Sequence, residues 1–188
     1  LVPNTYKVNW PIEAEPLVSL IIPTYNGYEI TKQAIDSILE KTQYKNYEII
    51  LVDNNSDCKK TLTYFDKVQK NEKVNVVRYP KPFNYSAINN YAVKHTRGSI
   101  IGLINNDIEV IIGDWLSEMV SHAIREDIGC VGAKLYFPND AIQHAGVVLG
   151  IGGVAGHGHK YFAKNSNGYF SRLKLIQNVS AVTAACLL

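Results

Sequence analysis

Three uninterrupted apolar runs, each stopped by short polar side chains, limit this chain more than any other feature. They are Val18-Ser19-Leu20-Ile21-Ile22, Glu48-Ile49-Ile50-Leu51-Val52 and Ser99-Ile100-Ile101-Gly102-Leu103-Ile104. None alternates apolar with polar, so each suits a strand covered on both faces, as in a parallel sheet. The first run ends in Pro23-Thr24-Tyr25-Asn26-Gly27, the second in Asp53-Asn54-Asn55-Ser56-Asp57 and the third in Asn105-Asn106-Asp107-Ile108-Glu109. In open α/β sheets ligands bind at the carboxyl ends of the strands. A hard cation is often held in such a place by one or two carboxylates together with substrate phosphate oxygens. Three ends of this kind suggest a nucleoside-diphosphate site.

Helical spacing lies between the runs. Ile30, Ala34, Ile35, Ile38 and Leu39 predict a helix over residues 28–41. Ser56 or Asp57 is expected to cap a helix carrying Leu62, Phe65 and Val68. A strand is expected over residues 74–79, ended by Pro80 and Pro82. Asn84 or Ser86 then caps a helix with Ala87, Ile88, Tyr91, Ala92 and His95 facing inward, and Gly98 is the expected C-cap glycine. The rhythm is β-α-β-α-β-α-β, which makes the fold class α/β, a mostly parallel central sheet with helices on both faces. After Asp107 the rhythm changes. Asp114 opens an amphipathic helix, and residues 128–133, 142–149 and 179–188 are expected strands. Residues 150–158 hold five glycines and are expected to form a mobile loop. The expected division is an arm or linker over residues 1–16, a donor-binding half over 17–113 and an acceptor-side half over 114–188, truncated at its C-terminal end.

With 188 residues and a net charge of +2, the chain can bury a real core and shows no broad polyanion-binding surface, so no nucleic-acid partner is expected. Cys58, Cys130 and Cys186 are odd in number and widely spaced, which points away from a disulfide framework or zinc site and toward a reducing compartment. No stretch approaches the roughly 20 apolar residues that cross a bilayer. The start lacks both a signal-peptide pattern and an initiator Met, so the chain is expected to have been cut from something larger.

Taken in order, Val18–Asn26, Ile49–Asp57, Phe83-Asn84-Tyr85-Ser86-Ala87-Ile88-Asn89-Asn90 and Asn105-Asn106-Asp107 resemble glycosyltransferase family 2, the GT-A fold. The resemblance covers residues 18–188. It implies transfer of a sugar from a nucleotide-diphosphate sugar donor, UDP- or dTDP-linked, to a saccharide or lipid-linked acceptor, with Mn²⁺ or Mg²⁺ and inversion at the anomeric carbon. Bacterial surface polysaccharide synthesis is the implied setting, in the cytoplasm or at its membrane through the parent protein. By the same resemblance Pro23, Thr24, Tyr25 and Asn26 lie against base and ribose, Asp53 meets the base, and Asn84 and Asn90 belong to the helix over the diphosphate. Asn105, Asn106 and Asp107 stand where the family has its Asp-x-Asp signature, and Asp107 is the implied metal ligand and catalytic residue. Asn105 replaces the first acid of that signature. Asn89 stands where many members have Arg or Lys, so a diphosphate-neutralising charge is missing or supplied elsewhere.

Each residue also has a plainer reading. Asp107 can cap a turn, Asp53 can cap the following helix, Tyr25 can simply pack, and Asn84 and Ser86 can cap their helix. Glu109 is expected at the surface or behind the site. His95 is expected in the core and His122 at the surface. His144, His157 and His159 are open to contact with donor or acceptor, or to membership of a flexible lid. No Asp or Glu follows Asp140, so the general base of an inverting transfer is expected beyond residue 188. A pyrophosphorylase is disfavoured, because no glycine-rich phosphate loop follows the first strand. A non-catalytic nucleotide-sugar-binding domain of a larger polypeptide is the alternative.

Overall fold

The computed structural model describes residues 4–188. Its central sheet holds β1 (Val18–Thr24), β2 (Tyr47–Asp53), β3 (Val74–Arg78), β4 (Ile100–Ile104) and β9 (Cys186–Leu187), in the order β3-β2-β1-β4-β9. The first four run parallel and β9 is antiparallel to β4. The helices are α1 (Tyr28–Lys41), α2 (Lys59–Val68), α3 (Tyr85–Ala92) and α4 (Trp115–Ala123).

Strand periodicity sorts the core. Val18, Leu20, Ile22, Ile49 and Leu51 face one side and pack with Ile35 and Ile38 of α1, Phe65 of α2, and Leu116 and Val120 of α4. Ile21, Ile50 and Val52 face the other side and pack with Ile88 and Ala92 of α3. Successive side chains of one strand are thus buried on opposite faces, which is why the sequence shows unbroken apolar runs. Below the sheet, at the amino end of β2, buried Glu48 accepts hydrogen bonds from Ser19 Oγ (2.7 Å), Arg97 N (2.7 Å) and Arg97 Nε (2.7 Å). Burial alone would raise its carboxyl, but these donors hold it below the usual carboxylate range.

The second half is less regular. It contains β5 (Leu135–Tyr136), β6 (Ile142–His144), β7 (Val147–Leu149) and β8 (Ala155–His157), paired as β5-β6 and β7-β8. Residues 4–16 form no helix or strand, yet Lys7 pairs with Glu118 (2.7 Å), and Tyr44 Oη donates to Pro16 O (2.6 Å). Among the described residues no helix is long and apolar enough to cross a membrane. The three cysteines are free thiols.

Several expectations fail here. Residues 128–133 form no strand; Val131 and Leu188 exchange backbone hydrogen bonds of 2.9 Å each way, and Gly132 makes an isolated bridge to Leu187. The expected strand over 142–149 breaks at Gly146 (φ 97°), a left-handed turn that sends β6 and β7 into different sheets. The glycine run is a hairpin: Gly150 N bonds Val154 O at 2.9 Å, and Ala155–His157 returns as β8. Only Cys186–Leu187 of residues 179–188 is strand. His95 is exposed rather than in the core, and His122 is half-buried rather than at the surface, with no hydrogen bond at Nε2. Gly98 caps no helix; a Cβ there would stand 2.5 Å from Leu17 O, so glycine is needed for close packing against β1. The residue preceding α2 is Cys58, not Ser56 or Asp57, for a reason that lies in the site.

Candidate functional site

The register of the sheet sets a row of side chains on its carboxyl edge. Thr24 pairs with Asp53, and Asp53 pairs with Arg78. Because Ile21 pairs with Leu103, continuing the register by three residues sets Asn106 beside Thr24. The Asn106 Nδ2 amide donates to Thr24 Oγ1 (2.9 Å) and Thr31 Oγ1 (3.2 Å), and those two hydroxyls are themselves 2.9 Å apart. The loop after β4 is therefore fastened to β1 and to the first turn of α1. Asn105 N donates to Ala185 O (2.9 Å), which fastens the same loop on its other side. Asp107 follows, exposed, and no ion pair among the described residues engages its carboxylate.

Asp53 is 3% exposed. Its Oδ1 accepts from Ser56 N (2.8 Å) and its Oδ2 lies 3.4 Å from Arg78 Nη1. Arg78 Nη2 also reaches Asn55 Oδ1 at 3.5 Å. Asn54 donates to Tyr79 O (3.1 Å) and Lys81 O (2.7 Å), pinning the chain that leaves β3. Asn26 and Asn55 both have positive φ, 51° and 64°, a conformation asparagine tolerates better than most residues. The side chain of Asn26 accepts from Asp57 N (3.1 Å) and Cys58 N (3.0 Å) and donates to Asp57 Oδ1 (2.9 Å). The start of α2 is thus capped by a residue from the loop after β1, so Ser56 and Asp57 do not cap it. Ser56 Oγ instead accepts from Asn26 N at 2.8 Å.

The structure brings Pro23, Thr24, Tyr25, Asn26, Asp53, Asn105, Asn106 and Asp107 to one edge. Within it Thr24, Asn26 and Asn106 spend their side chains on each other and on neighbouring backbone. Tyr25 is 59% exposed and Asp107 is exposed, so both are open to a ligand. Asn84 caps α3, its Oδ1 accepting from Ala87 N at 2.9 Å. Asn90 is exposed in the second turn of that helix. Asn89 is buried, donates to Tyr85 O (2.9 Å) and leaves its Oδ1 without a partner. Glu109 lies at the surface, bound to Lys41 Nζ (2.9 Å) and Gln33 Nε2 (2.7 Å). A groove of about 550 Å³ runs along α1 and Glu109, and within it Lys32 pairs with Asp36 and Lys41 with Glu109.

The sequence reading passed over Arg78. The signal was present: Arg78 ends an apolar strand on the same edge, by the rule that picked out Asp53 and Asp107.

No group of three or more His, Cys, Asp or Glu among the described residues could cage a metal. A single exposed carboxylate at a strand end still fits Mg²⁺ or Mn²⁺, because such ions keep waters and take the rest of their oxygens from substrate phosphates.

A mostly parallel sheet with this edge defines a GT-A glycosyltransferase fold. The mannosyltransferase PcManGT of Pyrobaculum calidifontis, solved in complex with GDP-Man and Mn²⁺, matches with a TM-score of 0.62 at 21% identity, over 74% of this chain and 41% of that one. The model of glycosyl transferase family 2 matches residues 19–186. The chain belongs to glycosyl transferase family 2. It is 54% identical over 187 residues to the uncharacterized protein y4gI of Sinorhizobium fredii, covering 99% of this chain and 21% of that protein. It is 37% identical over 187 residues to the O-antigen biosynthesis protein RfbC of Myxococcus xanthus, covering 99% of this chain and 15% of that protein. The chain therefore spans a small part of the length of these relatives.

Proposed function

We propose that this chain is the donor-binding domain of a metal-dependent, inverting glycosyltransferase acting on a nucleoside-diphosphate sugar. The observation that carries the reading is the row Thr24–Asp53–Arg78, with Asn106 and Asp107 completing it on the same edge. Tyr25 offers an exposed ring to the base or ribose. Asp53, buried and rigidly held, offers a carboxylate to a base N–H. Arg78 offers a cation beside it. At the far end of the row, Asp107 with the oxygens of a bound diphosphate would hold Mn²⁺ or Mg²⁺. Such an ion neutralises charge on the leaving diphosphate, a Lewis-acid role. The mannosyltransferase of the same fold, solved with GDP-Man and Mn²⁺, supports this chemistry.

The acceptor is a saccharide or a lipid-linked acceptor, in keeping with the O-antigen biosynthesis relative. Transfer in this class needs a base for the acceptor hydroxyl. No Asp or Glu occurs after Asp140, and Glu109 and Glu118 are engaged with Lys41 and Lys7. We place this work in the cytoplasm, or at its membrane through the parent protein.

The test is a thermal-shift panel of UDP, dTDP and GDP, with Mn²⁺ or with EDTA. A ligand that binds only the folded state raises its melting temperature by mass action. One nucleotide should do so more with Mn²⁺, and Asp107→Asn should remove the metal-dependent part. No shift with any of the three at millimolar concentration would sink the reading.

A further inference from the structure

Outside the edge, one histidine is tied to three separate segments. His144 ends β6 and is 2% exposed. Its Nε2 accepts from Gly146 N (3.3 Å) and Thr183 N (3.4 Å). Both partners are backbone N–H groups, so Nε2 must present a lone pair and the ring proton sits on Nδ1. That proton points at His157 Nδ1, 2.9 Å away in β8. The two rings meet edge to face, with centroids 5.1 Å apart. His144 is neutral in this arrangement, its tautomer set by the two backbone donors.

The segment that His144 holds leads to the donor edge. Thr183 Oγ1 accepts from Ala185 N (3.4 Å), and Ala185 O accepts the Asn105 N–H (2.9 Å). Cys186 and Leu187 then pair with Ile104 and Leu103 as β9. The same segment is braced from β7, where Val147 N donates to Ala181 O (3.0 Å). Asn105 is two residues before Asp107. β9 is a two-residue strand held directly on both sides, by β4 and by residues 131–133 (Val131 and Leu188 exchange bonds of 2.9 Å, and Ala133 N donates to Cys186 O at 3.1 Å), so what His144 can set is the stretch before it, residues 181–185.

We propose that His144 is a positioning residue for the donor edge, holding residues 181–185 so that Ala185 fixes Asn105 and, through it, Asp107. The proposal rests on the reading of that edge as the donor site. It assigns the buried histidine a role other than contact with donor or acceptor, and it explains why a polar ring sits at the junction of the β5-β6 and β7-β8 pairs. His157 serves as the acceptor that keeps the proton on His144 Nδ1.

Coupling between two sites is reciprocal. Whatever His144 does for the edge, a ligand on the edge must do for the bonds of His144. The experiment is amide hydrogen exchange on the 188-residue chain, free and with Mn²⁺ plus whichever of UDP, dTDP or GDP binds. Nucleotide should slow exchange at Asn105, and also at Thr183 and Gly146, at least about threefold. In His144→Phe the Asn105 amide should exchange about tenfold faster and the nucleotide Kd should rise about tenfold, with the amides of β2 unchanged. His144→Gln, which keeps an acceptor oxygen, should recover most of both. A protein softened in general would speed exchange in β2 as well and would not be rescued by Gln. Protection of Asn105 with none at Thr183 overturns the proposal in the unaltered chain, whatever the variants do. A folded His144→Phe with normal Kd and normal Asn105 exchange also overturns it while leaving the donor site standing. Absence of nucleotide binding by the unaltered chain removes the donor reading and this proposal together.

Discussion

Asn106 donates its side-chain amide to Thr24 Oγ1 at 2.9 Å, joining the ends of two neighbouring strands through residues far apart in the chain. The bond does for the edge what no loop residue could do alone. It fixes the path of the segment that carries Asp107 against β1, the central strand of the sheet. The same amide reaches Thr31 at 3.2 Å, so three elements meet at one nitrogen.

Removing that amide should therefore harm binding more than folding. Asn106→Ala loses two hydrogen bonds, each contributing about 1 kcal/mol net. Chemical denaturation should show a loss of about 1–2 kcal/mol, and the Mn²⁺–nucleotide Kd should rise about tenfold. Unchanged affinity would mean that Asp107 is placed without this clamp.

Arg78 allows stability and binding to be separated. Its ion pair with Asp53 spans 3.4 Å, and the arginine side chain is 55% exposed while Asp53 is buried, so water screens only one partner. Arg78→Gln, which keeps a donor toward Asp53, should lower the unfolding free energy by about 1 kcal/mol. Calorimetric titration should nevertheless show nucleotide affinity reduced about tenfold or more. Equal affinity in both proteins would make Arg78 a bystander to Asp53.

Asn26 should behave in the opposite way. Its carbonyl oxygen caps the start of α2 through Asp57 N and Cys58 N. Loss of a cap costs about 0.5–2 kcal/mol. Asn26→Ala should lower stability by about that amount and speed amide exchange in the first turn of α2. A stable variant with a normal first turn would show that the cap is dispensable.

His144 gives a pH signature. Burial, reinforced by the charge His157 would carry when protonated, pushes it down to about 4 from its ordinary value of 6.5. The unfolded chain then binds more protons than the folded one between these limits. The stabilising contribution is complete above pH 6.5 and is lost as pH falls toward 4, by up to about 1.4 kcal/mol per pH unit. Denaturation of the unaltered chain and of His144→Gln should show the advantage of the histidine shrinking as pH falls from 6.5 to 5. A constant difference across that range would mean that His144 titrates normally.

The sequence by itself determined the parallel sheet and the polar row at the carboxyl ends of its strands. Uninterrupted apolar runs demand burial on both faces, and residues that stop a parallel strand must emerge at its carboxyl end, so Thr24, Asp53 and Asp107 were legible one run at a time. Tertiary structure alone decided which of them touch. The strand order β3-β2-β1-β4 sets Arg78 beside Asp53 and Asn106 beside Thr24, and no local pattern encodes strand order. It also gave α2 a cap from Asn26, about thirty residues upstream, where propensity favoured Ser56 or Asp57. The second half was least legible for the same reason. Its strands are two or three residues long, too short for periodicity to register, and they exist because partners such as His144 and Thr183, thirty-nine residues apart, hold them in place.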